Sequence, residues 1–294
     1  MVRIGISGWR YAPWRGKFYP SDLVQRDELF FASRKFSTIE INGSFYSLQR
    51  PESWRAWHDQ TPDDFVFAVK GPRFITHTLR LRNVEVPLAN FFASGVLALR
   101  SKLGPMLWQF PPTLHYDPTQ VEAFLALLPK STDEAATLAG KHDFHLKHPA
   151  YLDPGPPRRI RHAIEVRHDS FVDPSFITLL RKYNVGFVVA DTAGKYPRFF
   201  DVTAGFVYVR LHGDRELYAS GYGKKALTEW ARRINAWRRG ARTEGDPFIS
   251  RATGRKRSTV DAYVYFDNDA KVKAPDDAQA LLEWVEKLFS EAGS

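Results

Sequence analysis

Three short runs place acid and base side chains at alternate positions of apolar segments. Ile39 and Ile41 alternate with Glu40 and Asn42, and Ile164 and Val166 alternate with Glu165 and Arg167. Val207, Val209 and Leu211 alternate with Tyr208, Arg210 and His212. Carboxylates set among guanidinium and imidazole groups can do general acid–base chemistry, and the cations can clamp phosphate or carboxylate. A carboxylate crowded by apolar walls or by a second acid holds its proton to higher pH, which suits it to proton transfer near neutrality. The period of two implies strands, in which the polar members share one face and the aliphatic members the other.

One such run would suit an edge strand facing water; the chain as a whole argues otherwise. Strand-like stretches recur at 3–9, 38–42, 65–70, 105–110, 162–167, 186–191, 206–212 and 262–268, with helical patterns between them. The helices carry local signatures. Asp117-Pro118 and Asp173-Pro174 read as an N-cap followed by proline in the first turn. Leu227, Trp230, Ile234 and Trp237 form one apolar stripe. Eight strand–helix units predict an α/β fold, a (β/α)8 TIM barrel, as a single domain over 1–294 with insertions at 129–159 and 240–258. A doubly wound open sheet is disfavoured because no Gly-x-Gly-x-x-Gly turn follows the first strand.

In a closed barrel, outward side chains pack beneath helices, and polar groups are tolerated inside toward the C-terminal rim, where barrel enzymes place their chemistry. The polar side chains expected there come from every strand. Glu40, Glu165, Asp191 and His212 are the expected catalytic groups. Ser7, Trp9, Asn42, Tyr46, Lys70, Gln109, Arg167, His168, Arg210 and Asn268 are the expected substrate contacts, with Asp267 alongside. So many charges removed from water must pair with one another. The reading that follows is an enzyme acting on a small anionic, phosphate-bearing substrate without an organic cofactor. A divalent metal on Glu40, Glu165, Asp191 and His212 is a weaker reading. A nucleic-acid-binding protein or metal-dependent nuclease is the alternative, and a catalytically inactive barrel scaffold is the second.

Composition narrows the field. The 294 residues contain no cysteine, which excludes disulfides and thiolate chemistry. No apolar run is long enough to span a bilayer and no signal-like segment opens the chain, so a cytoplasmic protein without a membrane partner is expected. The net charge of +9 invites a nucleic-acid partner, yet nine basic residues against Glu244 and Asp246 crowd into 231–259. That segment leads into the last strand, at the end of a barrel away from the chemistry, and reads as a solvated loop. The histidines of HDFHLKH, residues 142–148, have metal-like spacing but precede the fifth strand. They are expected on the stability side of the barrel, in a solvated, partly helical connection. Neither the partner of the basic segment nor the state of assembly is readable from the chain.

The ordered motifs GISGWRYAPWRGKFYP, TIEINGSFYSLQRPESWRAW, TPDDFVFAVKGPRFITH, LGPMLWQFPPTLHYD, IEVRHDSF, VYVRLHGDRELYASGY and DAYVYFDNDA resemble the YecE-like family, domain-of-unknown-function family 72. The resemblance covers nearly the whole chain. It implies the TIM-barrel fold and no established reaction. Lys271, Val272 and Lys273 stand where the family pattern runs through Gly and His, and the arginine-rich stretch is longer than usual for the family.

Overall fold

The computed structural model describes residues 1–252 and 257–291. Its eight strands close into a parallel barrel in sequence order, β1 (Val2–Ser7), β2 (Thr38–Ile41), β3 (Val66–Lys70), β4 (Leu103–Gln109), β5 (His162–Glu165), β6 (Gly186–Asp191), β7 (Phe206–Leu211) and β8 (Asp261–Phe266). All eight strands expected from the sequence form. No described helix is long and apolar enough to cross a membrane.

The chain divides into two compact units, residues 1–39 with 172–294 and residues 40–171. In the first, β6, β7, β8 and β1 pair in parallel, with Asp191 opposite Leu211, Arg210 opposite Tyr265, and Ile6 opposite Phe266. Helices α1 (Glu28–Lys35), α7 (Pro174–Tyr183), α8 (Lys224–Arg238) and α9 (Ala274–Glu291) belong to it. The expected stripe of α8 is buried, Trp237 and Ile234 completely. Asp173 caps α7 by accepting from the Ser175 amide at 2.7 Å.

In the second unit, β3, β4 and β5 pair in parallel, with Lys70 opposite Leu107 and Gln109 opposite Glu165. Its helices are the single turn α2 (Gly43–Tyr46), α3 (Pro51–Gln60), α4 (Glu85–Ala93), α5 (Pro118–Leu127) and α6 (Thr132–Ala139). Asp117 caps α5, accepting from the Thr119 and Gln120 amides at 2.9 and 3.1 Å. The core is aromatic and aliphatic, with Phe67, Phe91, Trp108 and Phe124 fully buried.

Two helical expectations need correction. The continuous apolar pattern over 86–104 is broken: α4 stops at Ala93, and tight 3-10 turns run from Val96 to Lys102. Gly95 makes the break, with φ of 104° and no room for a side chain, since a Cβ would lie 2.7 Å from the Pro51 Cα. Between β6 and β7 no helix forms among the described residues. The stretch 192–205 has Gly194, Pro197 and no apolar stripe, and Ala193 is already left-handed at φ 52°.

The 129–159 stretch folds as α6 and a loop that docks on α4, the Tyr151 amide donating to the Ala93 carbonyl at 2.8 Å. Its HDFHLKH motif is not helical and does not lie on the stability side of the barrel. Asp143 and His145 line a cavity with the loops that follow β2 and β3. Asn90 of α4 draws the motif there, exchanging two hydrogen bonds with Asp143 at 2.9 and 3.0 Å. Of the 240–258 segment, residues 253–256 lie outside the described residues.

Candidate functional site

In the unit of residues 40–171, three adjacent strands end on polar side chains: β3 on Lys70, β4 on Gln109 and β5 on Glu165. The parallel register puts Gln109 beside Glu165, and the Gln109 amide donates to both carboxylate oxygens at 2.9 and 3.0 Å. Arg167 donates from Nε to Oε1 at 2.8 Å. The Glu165 side chain is fully buried and that of Arg167 is 12% exposed, so charge neutralisation and hydrogen bonding replace the water that the acid has lost. Glu40 is likewise fully buried, at the end of β2.

Lys70 is held from two sides. Its carbonyl accepts from the Ser44 hydroxyl at 2.7 Å, and its ammonium lies 4.2 Å from the centroid of the Phe45 ring. Gly71 follows because nothing larger fits: a Cβ there would fall 2.4 Å from the Trp108 ring. Phe45 also takes the edge of the His77 imidazole, centroids 5.1 Å apart. His77 stands on a single π-helical turn, Phe74–Thr78, that follows β3. Burial and the positive charges of Lys70, Arg167 and Arg73 push its pKa down to about 4, against the opposing pull of Glu165. At neutral pH this imidazole is uncharged, beside three cations and a carboxylate, and can accept a proton.

The other unit builds its own network. The Arg210 Nη2 donates to Asp267 Oδ2 at 2.8 Å and lies 3.4 Å from the Ser7 hydroxyl. Its Nη1 is 3.3 Å from His212 Nε2. A guanidinium can only donate, so His212 Nε2 is the acceptor and the proton sits on Nδ1, 3.0 Å from Asp267 Oδ2. Arg210 is 1% exposed and His212 is fully buried. Asp269, two residues on, has its pKa raised to about 6 by burial and by the Asp267 charge.

The other expected residues make contacts of their own. Asp191 pairs with Arg198 at 2.7 Å, and burial raises its pKa. Asn268 staples loops, its amide donating to the Ser220 carbonyl and to Asp277 at 3.0 and 2.7 Å. His168 closes a turn with Ser170 and packs on His115, ring centroids 3.9 Å apart. The carbonyl of buried Trp9 accepts from the Tyr19 hydroxyl at 2.6 Å. Tyr46 is 72% exposed. Among the described residues, no group of three His, Asp or Glu side chains is arranged to hold a metal.

Sequence reading missed His77, Arg198 and Asp269. His77 lies seven residues beyond the end of β3, in no periodic pattern, and only its place in the PRFITH run marked it. Three of the arginines of 231–259 are used for packing: Arg233 chelates Asp246 at 2.8–3.1 Å, Arg242 lies over Phe248 and Arg238 over Phe289.

A closed eight-stranded α/β barrel with charged side chains at the C-terminal ends of its strands defines a TIM-barrel protein. The chain belongs to the family described as protein of unknown function DUF72, whose model matches residues 3–292. It is 30% identical over 132 residues to the UPF0759 protein YecE of Escherichia coli K12, covering 44% of this chain and 45% of that one. It is 31% identical over 120 residues to the UPF0759 protein YunF of Bacillus subtilis 168, covering 38% and 40%. The aligned segments thus span less than half the length of these curated relatives. A crystal structure of a DUF72 family protein from Thermotoga maritima MSB8 superposes with a TM-score of 0.73 at 22% identity, covering 97% of this chain and 99% of that one. One from Enterococcus faecalis V583 superposes with a TM-score of 0.68 at 16% identity, covering 97% and 96%. These likenesses establish the fold.

Proposed function

We propose that this protein is an enzyme that binds a small phosphate-bearing substrate at the C-terminal ends of β3, β4 and β5. Lys70 and Arg167 hold the anion; Glu165 and His77 exchange protons with it. The observation that carries the reading is the gathering of two cations, a buried carboxylate and an imidazole held neutral at the ends of three adjacent strands. Lys70 and Arg167 offer two cations to an anion, and the Phe45 ring covers the Lys70 ammonium on one side. Gln109 has a positioning role: it fixes both oxygens of Glu165 and so the direction in which that carboxylate meets a substrate.

The arginine-rich segment does not favour a nucleic-acid partner over this reading, since Arg233, Arg238 and Arg242 are spent on internal contacts.

The test uses inorganic phosphate. A bound phosphate anion offsets the field of Lys70 and Arg167, so the His77 pKa, followed by its ring proton resonances, rises from about 4 as phosphate saturates the site. Lys70→Met weakens phosphate binding at least tenfold. A His77 pKa indifferent to saturating phosphate, or phosphate affinity equal in the variant, would overturn the reading.

A further inference from the structure

Nine large apolar side chains of the described residues are conspicuously exposed, and three of them, Tyr46, Phe74 and Val86, surround one cavity. It measures about 490 Å³, within the range that accepts small molecules, and lies wholly within the unit of residues 40–171. Leu48, Pro72, Ile75 and Leu79 complete an apolar wall.

The charges on that wall are unequal in what surrounds them. Asp143 accepts from the Asn90 amide at 2.9 Å and faces the His145 ring at 2.8 Å, and these contacts hold its pKa down at about 2. Its carboxylate stays ionised, but its oxygens are already engaged by these donors. Arg73 is exposed and takes part in no ion pair among the described residues. The cavity therefore presents an apolar body of small-molecule size, a carboxylate whose oxygens are already taken, and an exposed guanidinium that takes part in no ion pair among the described residues.

Its backbone is costly to maintain. The wall includes the π-helical turn Phe74–Thr78, and Arg80, Leu81 and Asn83 just beyond it adopt φ of 48°, 66° and 52°. A left-handed leucine is strained, and such strain persists where a shape is needed rather than where stability is. Single π-helical turns have the same habit of accompanying binding sites.

We infer that the cavity lined by Phe45, Phe74, Ile75, Val86 and Arg73 is a second binding site, for a small amphipathic carboxylate with a medium-length alkyl or aryl body. The apolar body fills the wall and the carboxylate meets the Arg73 guanidinium, a charge-assisted contact with two parallel donors. The inference does not depend on the phosphate site at Lys70 and Arg167.

Calorimetric titration of the full chain with sodium octanoate, with 1-octanol as the uncharged control, tests it. Octanoate binds saturably at one site and at least tenfold more tightly than octanol. Arg73→Gln reduces octanoate affinity about tenfold, to the level of octanol. Val86→Trp, which fills the cavity from a surface position, removes both. Both residues are exposed, and matching circular dichroism spectra confirm that the variants fold. Lys70→Met weakens phosphate at least tenfold but octanoate less than threefold, since Lys70 reaches this cavity only through the shared Phe45 ring, and this difference separates the two sites. Absence of saturable octanoate binding, as for a face that instead seats a protein, overturns the inference. So does octanol binding as tightly as octanoate, or wild-type affinity in either cavity variant.

Discussion

Acid should weaken this protein in part through the buried imidazole of His162. His162 lies on β5, three residues before Glu165, and is 4% exposed. Its Nε2 is 2.7 Å from the Pro129 carbonyl, which can only accept, so the proton is on Nε2. Its Nδ1 is 3.1 Å from Trp108 Nε1, which can only donate, so Nδ1 must stay bare. A second proton would break the tryptophan contact and charge a ring with no water around it. Burial accordingly pushes the His162 pKa from 6.5 down to about 4, with the Pro129 carbonyl opposing. Between those values the unfolded chain takes up a proton that the folded chain refuses. The associated stability is therefore complete above pH 6.5 and is lost as pH falls toward 4. At about 1.4 kcal/mol per pKa unit the total is about 3 kcal/mol, a large part of the usual 5–15. Urea unfolding of the wild type and His162→Gln at pH 7.5, 6.5, 5.5 and 4.5 isolates the effect, because the other titrating groups cancel in the difference. The variant can be less stable at pH 7.5, having lost shape and one hydrogen bond. Below pH 6.5, however, its stability should fall less steeply, by about 1.4 kcal/mol per pH unit. Parallel pH dependences would refute the argument.

Two further outcomes follow from the strand ends. Lys70→Met should raise the His77 pKa from about 4 toward 6.5, measured by NMR titration, because the lysine is the largest cause of its depression after burial; an unchanged value would remove the lysine from the causes. Gly71→Ala should destabilise the fold by about 1–3 kcal/mol in urea, since its Cβ meets Trp108 at 2.4 Å; wild-type stability would mean that the ring yields without strain.

The strands were legible because their signal is local: a period of two, and a polar residue at the C-terminal end of most of them, survive in any context. The caps at Asp117 and Asp173 were legible for the same reason, each needing only amides two or three residues away. Gly95 was also in plain view, but the apolar pattern runs through it. Only the approach of Pro51, far back in the chain, makes a side chain impossible there. The placement of HDFHLKH failed on a similar point. Its position before β5 suggested the N-terminal end, whereas a pair of hydrogen bonds to Asn90 carries it beside the loops after β2 and β3. Asn268 and His168, expected near strand ends, also bond to nearby loops, and no spacing in the sequence shows those partners. His77 was invisible because what marks it is the field of Lys70 and Arg167, which no spacing encodes.

The way polarity is distributed along β3, β4 and β5 bears on why the cluster exists. Phe67, Ala68 and Val69 precede Lys70; Met106, Leu107 and Trp108 precede Gln109; Ala163 and Ile164 precede Glu165. All of these preceding residues are fully buried and apolar. The last residue of each strand is buried as well, at 8%, 4% and 0% exposure, yet each is polar. Burial at that level does not require polarity, and replacing a buried ion pair with well-packed apolar side chains is often neutral or stabilising. A barrel shaped by stability alone would therefore continue its aliphatic filling to the rim. That the change falls on the last residue of three successive strands, at the end where such barrels carry chemistry, favours use of the charge over plugging of the barrel.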